Sequence, residues 1–172
     1  HSRDILAPAA RRRGQRNQVP SILTAVDGAT GEVHWTRETH PIDNLLLAVD
    51  GGLVYYRSGS QLSCLDLASG QPRWQDDSFR AKGRTLVAHD GVVLVYAGNT
   101  IEARDGPTGQ LLWRKQVPPS SGGESPDLFV ANGIVWRGMV AINDDLKPIG
   151  KSEDAMAVGF DLRTGEESRQ IV

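Results

Sequence analysis

The sequence lacks the features that identify several large classes of protein. Its only cysteine is Cys64, which excludes an intrachain disulfide and therefore a disulfide-stapled secreted scaffold. No apolar run approaches the roughly 18 residues that a membrane-spanning helix requires. The 19 Lys and Arg residues nearly balance the 21 Asp and Glu residues, so the net charge of -2 provides no overall attraction to nucleic acid. The sequence thus predicts no nucleic-acid partner and no integral membrane segment.

Glycine, by contrast, is abundant. The 172 residues include 19 glycines, whereas aromatic residues make up only 6%. Frequent glycine at regular intervals is typical of tight turns between short strands. With 39% hydrophobic residues the chain is apolar enough to bury a core. Together these features favour an all-β fold.

A short motif recurs four times along the chain, near residues 23–35, 62–74, 101–113 and 158–170. The first three copies read Asp-x-x-Thr/Ser-Gly-x-x-x-Trp, and their aspartates are 39 residues apart. The fourth aspartate follows the third by 56 residues, which predicts an insertion of 17 residues at 139–155, and Arg169 stands where Trp is expected. The motif positions are Asp27, Gly31, Trp35, Asp66, Gly70, Trp74, Asp105, Gly109, Trp113, Asp161 and Gly165.

The chemistry of this motif predicts a turn between two strands. The aspartate can accept backbone hydrogen bonds within the turn, and the hydroxyl residue can support the aspartate. Glycine can adopt the left-handed conformation that closes the turn. Asp50-Gly51, Asp90-Gly91 and Asn132-Gly133 lie between the copies, flanked by β-branched and aromatic residues, and predict two-residue hairpin turns. Each repeat of about 40 residues therefore holds four strands, which is typical of one β-propeller blade.

The pattern Leu-x-Ala-Val-Asp-x-x-Thr-Gly-x-x-x-Trp of the first copy resembles the repeat of quinoprotein-like, or PQQ-like, β-propellers. The resemblance covers residues 21–172 and implies a partial propeller of about four blades or fewer, the first lacking its outer strands. It also implies that Trp35, Trp74 and Trp113 dock against adjacent blades. A periplasmic or extracytoplasmic location follows from the resemblance alone.

Within that family, some members are alcohol or sugar dehydrogenases that bind pyrroloquinoline quinone and calcium, and others are scaffolds without a cofactor. The chain has no Gly-x-Ser-x-Gly elbow, phosphate-binding loop or Rossmann fingerprint. The cluster of Asn143, Asp144 and Asp145 departs from the pattern of a calcium loop. We therefore predict no catalytic, cofactor-binding or metal-binding residue and no cofactor.

The sequence thus favours a non-catalytic scaffold for protein interaction or assembly, belonging to a larger bacterial protein. Its expected partners are another protein or the remaining blades of the parent chain, and open blade edges predict a possible homo-oligomer. The alternative is part of a quinone- and calcium-dependent dehydrogenase whose other blades lie outside this chain. Residues 1–20 are predicted to be a basic, proline-containing leader or linker, and the start at His1 predicts a fragment or processed chain. Segments 118–126 and 139–155 are candidate recognition loops.

Overall fold

Antiparallel strands make up the regular structure of the chain. The computed structural model describes residues 19–42, 45–79, 83–117, 128–137 and 157–170. The strands of this part of the chain are β1 (Ser21–Val26), β2 (Val33–Thr39), β3 (Leu47–Asp50), β4 (Leu53–Ser58), β5 (Gln61–Asp66), β6 (Pro72–Asp76), β7 (Gly83–His89), β8 (Val92–Ala97), β9 (Thr100–Asp105), β10 (Leu111–Gln116), β11 (Leu128–Ala131), β12 (Ile134–Arg137), β13 (Ala157–Asp161) and β14 (Glu167–Gln170). Among these residues no helix is long and apolar enough to cross a membrane.

The strands form four sheets, here called blades 1 to 4. Blade 1 is the two-stranded sheet β1–β2, and blades 2, 3 and 4 are the four-stranded meanders β3–β6, β7–β10 and β11–β14. The first strand of blade 3, β7, contacts the first strands of both neighbouring blades, β3 and β11, which places the first strand of each full blade towards a common centre. The prediction of an all-β, partial propeller with four-stranded antiparallel blades is confirmed. The expectation that blade 1 lacks its outer strands is wrong, because β1 leads directly into the motif aspartate and β2 carries the motif tryptophan, so these strands correspond to the outer strands β5 and β6 of blade 2.

The core lies between the blades rather than within one sheet. One cluster joins blades 2 and 3 through side chains such as Tyr55, Cys64 and Val93, and a second joins blades 3 and 4 through side chains such as Leu94 and Phe160. All of β8 is buried because it is covered on both faces. This burial explains why β8 is apolar at every position instead of alternating.

The hairpin turn of blade 2 lies one residue later in the chain than predicted. Asp90-Gly91 and Asn132-Gly133 occupy their turns with positive φ, but in blade 2 the positive-φ pair is Gly51-Gly52 and Asp50 pairs with Leu53. Two glycines supply both left-handed residues without steric cost, so the aspartate is not needed in the turn. The Asp50 carboxylate instead accepts a hydrogen bond of 2.8 Å from the Gly91 amide in blade 3.

Each of the first three blades docks a tryptophan onto the next blade. The indole N–H groups of Trp35, Trp74 and Trp113 donate to the carbonyl oxygens of Leu67, Gly106 and Leu162 at 2.7, 2.7 and 2.9 Å. Each ring also covers the motif glycine of that next blade. A Cβ added at Gly70, Gly109 or Gly165 would lie 2.7 Å from the ring of Trp35, Trp74 or Trp113, respectively. The motif therefore supplies both sides of each of these tryptophan contacts: a tryptophan in one copy and a glycine in the next.

Blade 4 differs in the register of its last hairpin. In blades 1 to 3 a β-bulge places the tryptophan opposite Ala25, Cys64 or Ala103. Blade 4 has no such shift, so Ser168 lies opposite Gly159, two residues before the motif aspartate, and Arg169 pairs with Val158. The position equivalent to the tryptophan therefore belongs to Ser168, one residue earlier than the sequence spacing predicts.

Several predicted segments lie outside the described residues, namely 1–18 of the leader, the loop 118–126 and the insertion 139–155. The strand ends nevertheless locate the insertion. Two residues join β4 to β5 and β8 to β9, whereas nineteen separate the end of β12 from the start of its neighbour β13. Counted from the second turn residue to the motif aspartate, Gly133 to Asp161 is 28 residues against 14 in blades 2 and 3. Of the 17 extra residues of the fourth repeat, 14 therefore fall here and the other three lie between Asp105 and Gly133.

The contact between tryptophan and glycine predicts unequal costs for two glycine substitutions in blade 3. Gly109 and Gly91 have φ values of +75° and +72°, but only Gly109 would clash with a ring, since nothing lies within 4 Å of a Cβ at Gly91. Both Gly→Ala changes should lower the free energy of unfolding by about 1–2 kcal/mol, because alanine is strained at a positive φ. Gly109→Ala should lower the free energy of unfolding by about a further 1–3 kcal/mol, because Trp74 must move. Urea unfolding measures both variants, and equal losses would contradict this packing role.

Candidate functional site

One face of the blades is built from turns. On this turn face the amide that follows each motif aspartate of blades 2 to 4 donates to the hairpin turn of its own blade. The three bonds run from Leu67 to Gly52, from Gly106 to Gly91 and from Leu162 to Gly133, at 2.9, 2.7 and 2.9 Å. The two hairpins of each full blade are thereby held side by side. The turn face is thus a rigid row of backbone turns.

The motif aspartates serve these turns as acceptors. Asp27 Oδ1 accepts from the amides of Ala29 and Thr30 at 2.9 and 2.7 Å and from the Thr30 hydroxyl at 3.0 Å. The other three copies repeat the bonds from the hydroxyl residue, which is Ser69 for Asp66, Thr108 for Asp105 and Thr164 for Asp161. The motif glycines Gly31, Gly70, Gly109 and Gly165 have φ values between 68° and 76°. The motif is therefore a turn that is complete without a ligand.

These hydrogen bonds stabilise the charged form of the carboxylates. The backbone amides of Thr30 and Ala29 lower the pKa of Asp27, and the amides of Thr164 and Arg163 lower that of Asp161. The hydroxyl of Ser69, followed by Arg73, lowers the pKa of Asp66 to about 2. Such carboxylates are weak proton acceptors near neutral pH. Their arrangement suits a structural role rather than general-base catalysis.

A cleft of about 800 Å³ opens on the turn face between blades 1 and 2. Its apolar walls include Ala25 and Val26 of blade 1 and Leu53 of blade 2. Its charged and polar lining comprises Asp27, Gly28, His34, Gly51, Gly52, Asp66 and Arg73. Concave sites that combine apolar walls with a few polar groups are typical ligand sites. We take this cleft as the candidate binding site.

The charges around the cleft are paired within each blade. His34 Nε2 lies 3.9 Å from Asp27 Oδ2 in blade 1, and Arg73 lies 2.9 Å from Asp66 in blade 2. All four side chains keep appreciable solvent exposure, so a bound partner could compete for them. Within the described ranges no group of three His, Cys, Asp or Glu side chains could hold a metal ion. The cleft therefore offers an apolar surface with a charged rim of both signs.

A second polar cluster lies between blades 2 and 3, away from the cleft. The buried Arg104 guanidinium contacts Asp76 of blade 2 at 2.6 Å and Glu102 at 3.1 Å, and Arg114 contacts Glu102 at 2.7 Å. The Phe79 ring lies 4.8 Å from the Arg104 guanidinium carbon. This cluster joins one blade to the next and leaves little room for a substrate.

The single thiol is also structural. Cys64 is fully buried in β5 opposite Trp74, and burial raises the pKa of its thiol to about 11. A buried, protonated thiol is a poor nucleophile.

The sequence motif includes Asp27 and Asp66, but it gives no sign of the cleft. The motif copies alone do not reveal that His34 and Arg73 lie on its rim. One signal was available: the first copy has no Asp-Gly or Asn-Gly hairpin before it, unlike the other three. Among the described residues, β1 accordingly pairs only with β2.

Comparison with family models matches residues 20–171 to the family described as "Outer membrane protein assembly factor BamB". Comparison with curated proteins gives no match. BamB from Moraxella catarrhalis is similar in structure, with 19% identity, a TM-score of 0.53 and coverage of 87% of this chain. A quinohemoprotein alcohol dehydrogenase from Pseudomonas putida HK5 has 17% identity, a TM-score of 0.58 and coverage of 88% of this chain.

The computationally designed Ika4 protein is also similar, with 21% identity, a TM-score of 0.53 and coverage of 76% of this chain. The chain spans 73% of the length of Ika4, 58% of that of the Moraxella protein and 31% of that of the dehydrogenase. At these identities the likeness to solved structures establishes the fold alone.

The lowered pKa of Asp66 predicts a pH-dependent effect of its replacement. Because its pKa in the folded chain, about 2, is below the value of about 3.9 in unfolded peptides, its charge stabilises the fold above pH 4. This contribution is lost as the pH falls towards 2. Asp66→Asn keeps an oxygen acceptor for Ser69 but removes the charge. The variant should therefore be less stable than the original chain at pH 5 and nearly equal to it at pH 2.

Urea unfolding between pH 5 and pH 2 measures this convergence. Asp90→Asn is the matched control, since Asp90 lies in a turn of the same face with its side chain 74% exposed. A stability difference for Asp66→Asn that does not change with pH would contradict the assigned role of the charge.

Proposed function

The chain belongs to the β-propeller family described as outer membrane protein assembly factor BamB, and from this membership we propose that it is part of a non-catalytic scaffold that binds other proteins during assembly. The observation that carries the proposal is the cleft on the turn face, which is bounded by a frame of docked blades. Since the chain spans 58% of the Moraxella BamB, the binding site of the whole protein can include residues beyond it.

The cleft suits a segment of protein chain. Ala25, Val26 and Leu53 offer an apolar wall to alternate side chains of a strand, and the rim presents charges of both signs. In an outer membrane β-barrel protein, the segments that form the strands alternate apolar and polar residues, and this pattern is present in the chain before it folds. Such a segment could bury its apolar side chains in the cleft and leave its polar side chains at the rim.

The dehydrogenase alternative requires a quinone and a calcium ion held by acidic and amide side chains. Among the described residues no three His, Cys, Asp or Glu side chains come together to hold an ion. Their buried acid Glu102 is already paired with Arg104 and Arg114. We therefore derive no reaction step through a quinone.

Replacement of Val26 tests the binding function. The binding partner in the assay is a fluorescently labelled outer membrane β-barrel protein, diluted from urea into the purified chain and followed by anisotropy. We expect saturable binding that Val26→Asp weakens by about tenfold, because a charge replaces apolar contact of roughly 1.5 kcal/mol.

Val33→Asp is the matched control. Val33 is the ladder partner of Val26 and is similarly exposed, 56% against 51%, but it does not line the cleft. It should change the affinity by less than about twofold. The proposal fails if the unfolded protein does not bind saturably, and equal losses in both variants would exclude the cleft as the site.

A cofactor titration tests the alternative. Pyrroloquinoline quinone with calcium, added to the purified chain, should leave the thermal midpoint and the tryptophan fluorescence unchanged, because the described residues form no ligand set for the ion. The chain should first be shown to be folded by circular dichroism. Saturable stabilisation by the quinone would instead support the dehydrogenase alternative.

A further inference from the structure

Two motif aspartates line the cleft, and their carboxylates are bonded differently. The Asp66 carboxylate uses both oxygens, since Oδ1 accepts from Ser69 and Oδ2 accepts from Arg73 at 2.9 Å. The Asp27 carboxylate uses only Oδ1, which accepts the bonds of its own turn. Within the described chain its Oδ2 accepts no hydrogen bond, because His34 Nε2 lies 3.9 Å away, beyond hydrogen-bond distance. One carboxylate oxygen at the cleft is thus available to a donor.

A single position of the repeat causes this difference. Arg73 follows Asp66 by seven residues, and the position seven residues after Asp27 holds His34. Another cation of blade 1, Arg37, donates instead to a backbone carbonyl of blade 2 at 3.2 Å. Among the described residues, Asp66 therefore has a hydrogen-bonded cation and Asp27 has none.

The open carboxylate is charged and held in place by its turn. The backbone amides of Thr30 and Ala29 lower the pKa of Asp27, so the carboxylate is ionised at neutral pH. With histidine counted as neutral, the charged side chains that line the cleft are Asp27, Asp66 and Arg73, with a net charge of -1. A cationic group therefore complements the cleft better than an anionic group does.

Apolar surface adjoins the open carboxylate. Val26 directly precedes Asp27 and is 51% exposed, and Leu53 and Pro107 extend the apolar lining. An arginine side chain suits such a place, because its aliphatic stem packs on apolar surface while its guanidinium bonds a carboxylate. The surroundings of Asp27 thus favour an arginine that has apolar neighbours.

We propose that Asp27 makes the cleft selective for extended segments of a partner protein in which an arginine follows an apolar residue. The guanidinium donates to Asp27 Oδ2, as Arg73 does to Asp66, and the apolar side chain covers Val26. This selectivity rests on the proposed binding function and names the feature of the bound segment that the same cleft recognises. The chain's own basic run at residues 11–13 is a poorer match, because alanine and glycine flank it.

Two amidated peptides measure the selectivity: Thr-Val-Thr-Val-Arg-Thr and the same peptide with citrulline, which has the shape of arginine without its charge. Each is titrated into the full chain and followed by the backbone amide NMR shifts, which also locate the peptide. We expect the arginine peptide to shift the signals of Val26, Asp27 and His34. It should bind at least about threefold more tightly than the citrulline peptide at about 20 mM salt, and the difference should vanish at about 1 M salt.

His34→Arg makes the first copy of the motif like the second, so that Asp27 receives a cation from its own blade. The variant should lose the preference for arginine over citrulline and keep the thermal midpoint of the original chain. Leu112→Arg is the matched control, because Leu112 holds the same position beside Asp105, is 41% exposed and does not line the cleft. It should keep the preference.

Asp27→Asn removes the charge but keeps an oxygen acceptor for the turn, and it should also abolish the preference. Asp105→Asn is its matched control, because the Oδ1 of Asp105 accepts the same turn bonds outside the cleft. This control should keep the preference.

Four results would overturn the selectivity. The first is equal binding of the two peptides, and the second is a preference that survives in His34→Arg and Asp27→Asn. The third is a preference that appears only after the arginines at 11–13 are replaced by glutamine, since the chain itself then occupies the cleft. The fourth is a dimer without peptide that Asp27→Asn dissociates, since a second copy is then the occupant.

The proposed function fails separately from the selectivity. If the unfolded membrane protein binds the original chain and Asp27→Asn equally well, the function stands and the selectivity fails. If the chain prefers the arginine peptide but does not bind the unfolded protein, the selectivity of the cleft stands and the assembly function fails.

Discussion

The rest of the structure depends on the contact between an indole ring and the motif glycine of the next blade. The ring can approach within van der Waals distance only because the residue beneath it has no Cβ, and that same residue must also adopt a positive φ. The indole N–H then donates to the backbone of the same turn, so one side chain fixes both spacing and orientation. Three such contacts hold four sheets in a series.

Polar residues of the described chain hold the turns together and link neighbouring blades. The motif aspartates accept bonds from their own turns, and Asp50 and Arg104 carry bonds across to the neighbouring blade. Because these charges are already satisfied, they stabilise the arrangement and hold little capacity for proton transfer. These bonds fix the turns of each blade and the position of one blade against the next.

The two ends of the described array are unlike each other. Gly31 of blade 1 has nothing within 4 Å of a Cβ, whereas its three equivalents each lie under a tryptophan. In blade 4 the equivalent of the tryptophan is Ser168, which cannot cover a neighbouring turn in the same way. The free strand edge and the cleft lie on the side of blade 1. Within the described chain, the cleft therefore lies beside the blade that has only two strands.

The sequence by itself determined the class of fold, because turn chemistry acts locally. The 39-residue spacing of Asp27, Asp66 and Asp105, with a glycine and a tryptophan at set distances, specifies two hairpins per repeat. Local chemistry was insufficient where two residues could fill the same turn position. Either Asp50 or Gly52 could join Gly51 in a turn, and only the ladder with β4 shows that Asp50 ends β3 and reaches blade 3. A bulge likewise moves a register by one residue without changing the motif, as Ser168 and Arg169 show.

The cleft is further from any local rule, since it arises from a strand partner that is missing beside β1 in the described chain. A surface between two blades is created by their packing, so only the tertiary structure could bring His34 and Arg73 to one rim.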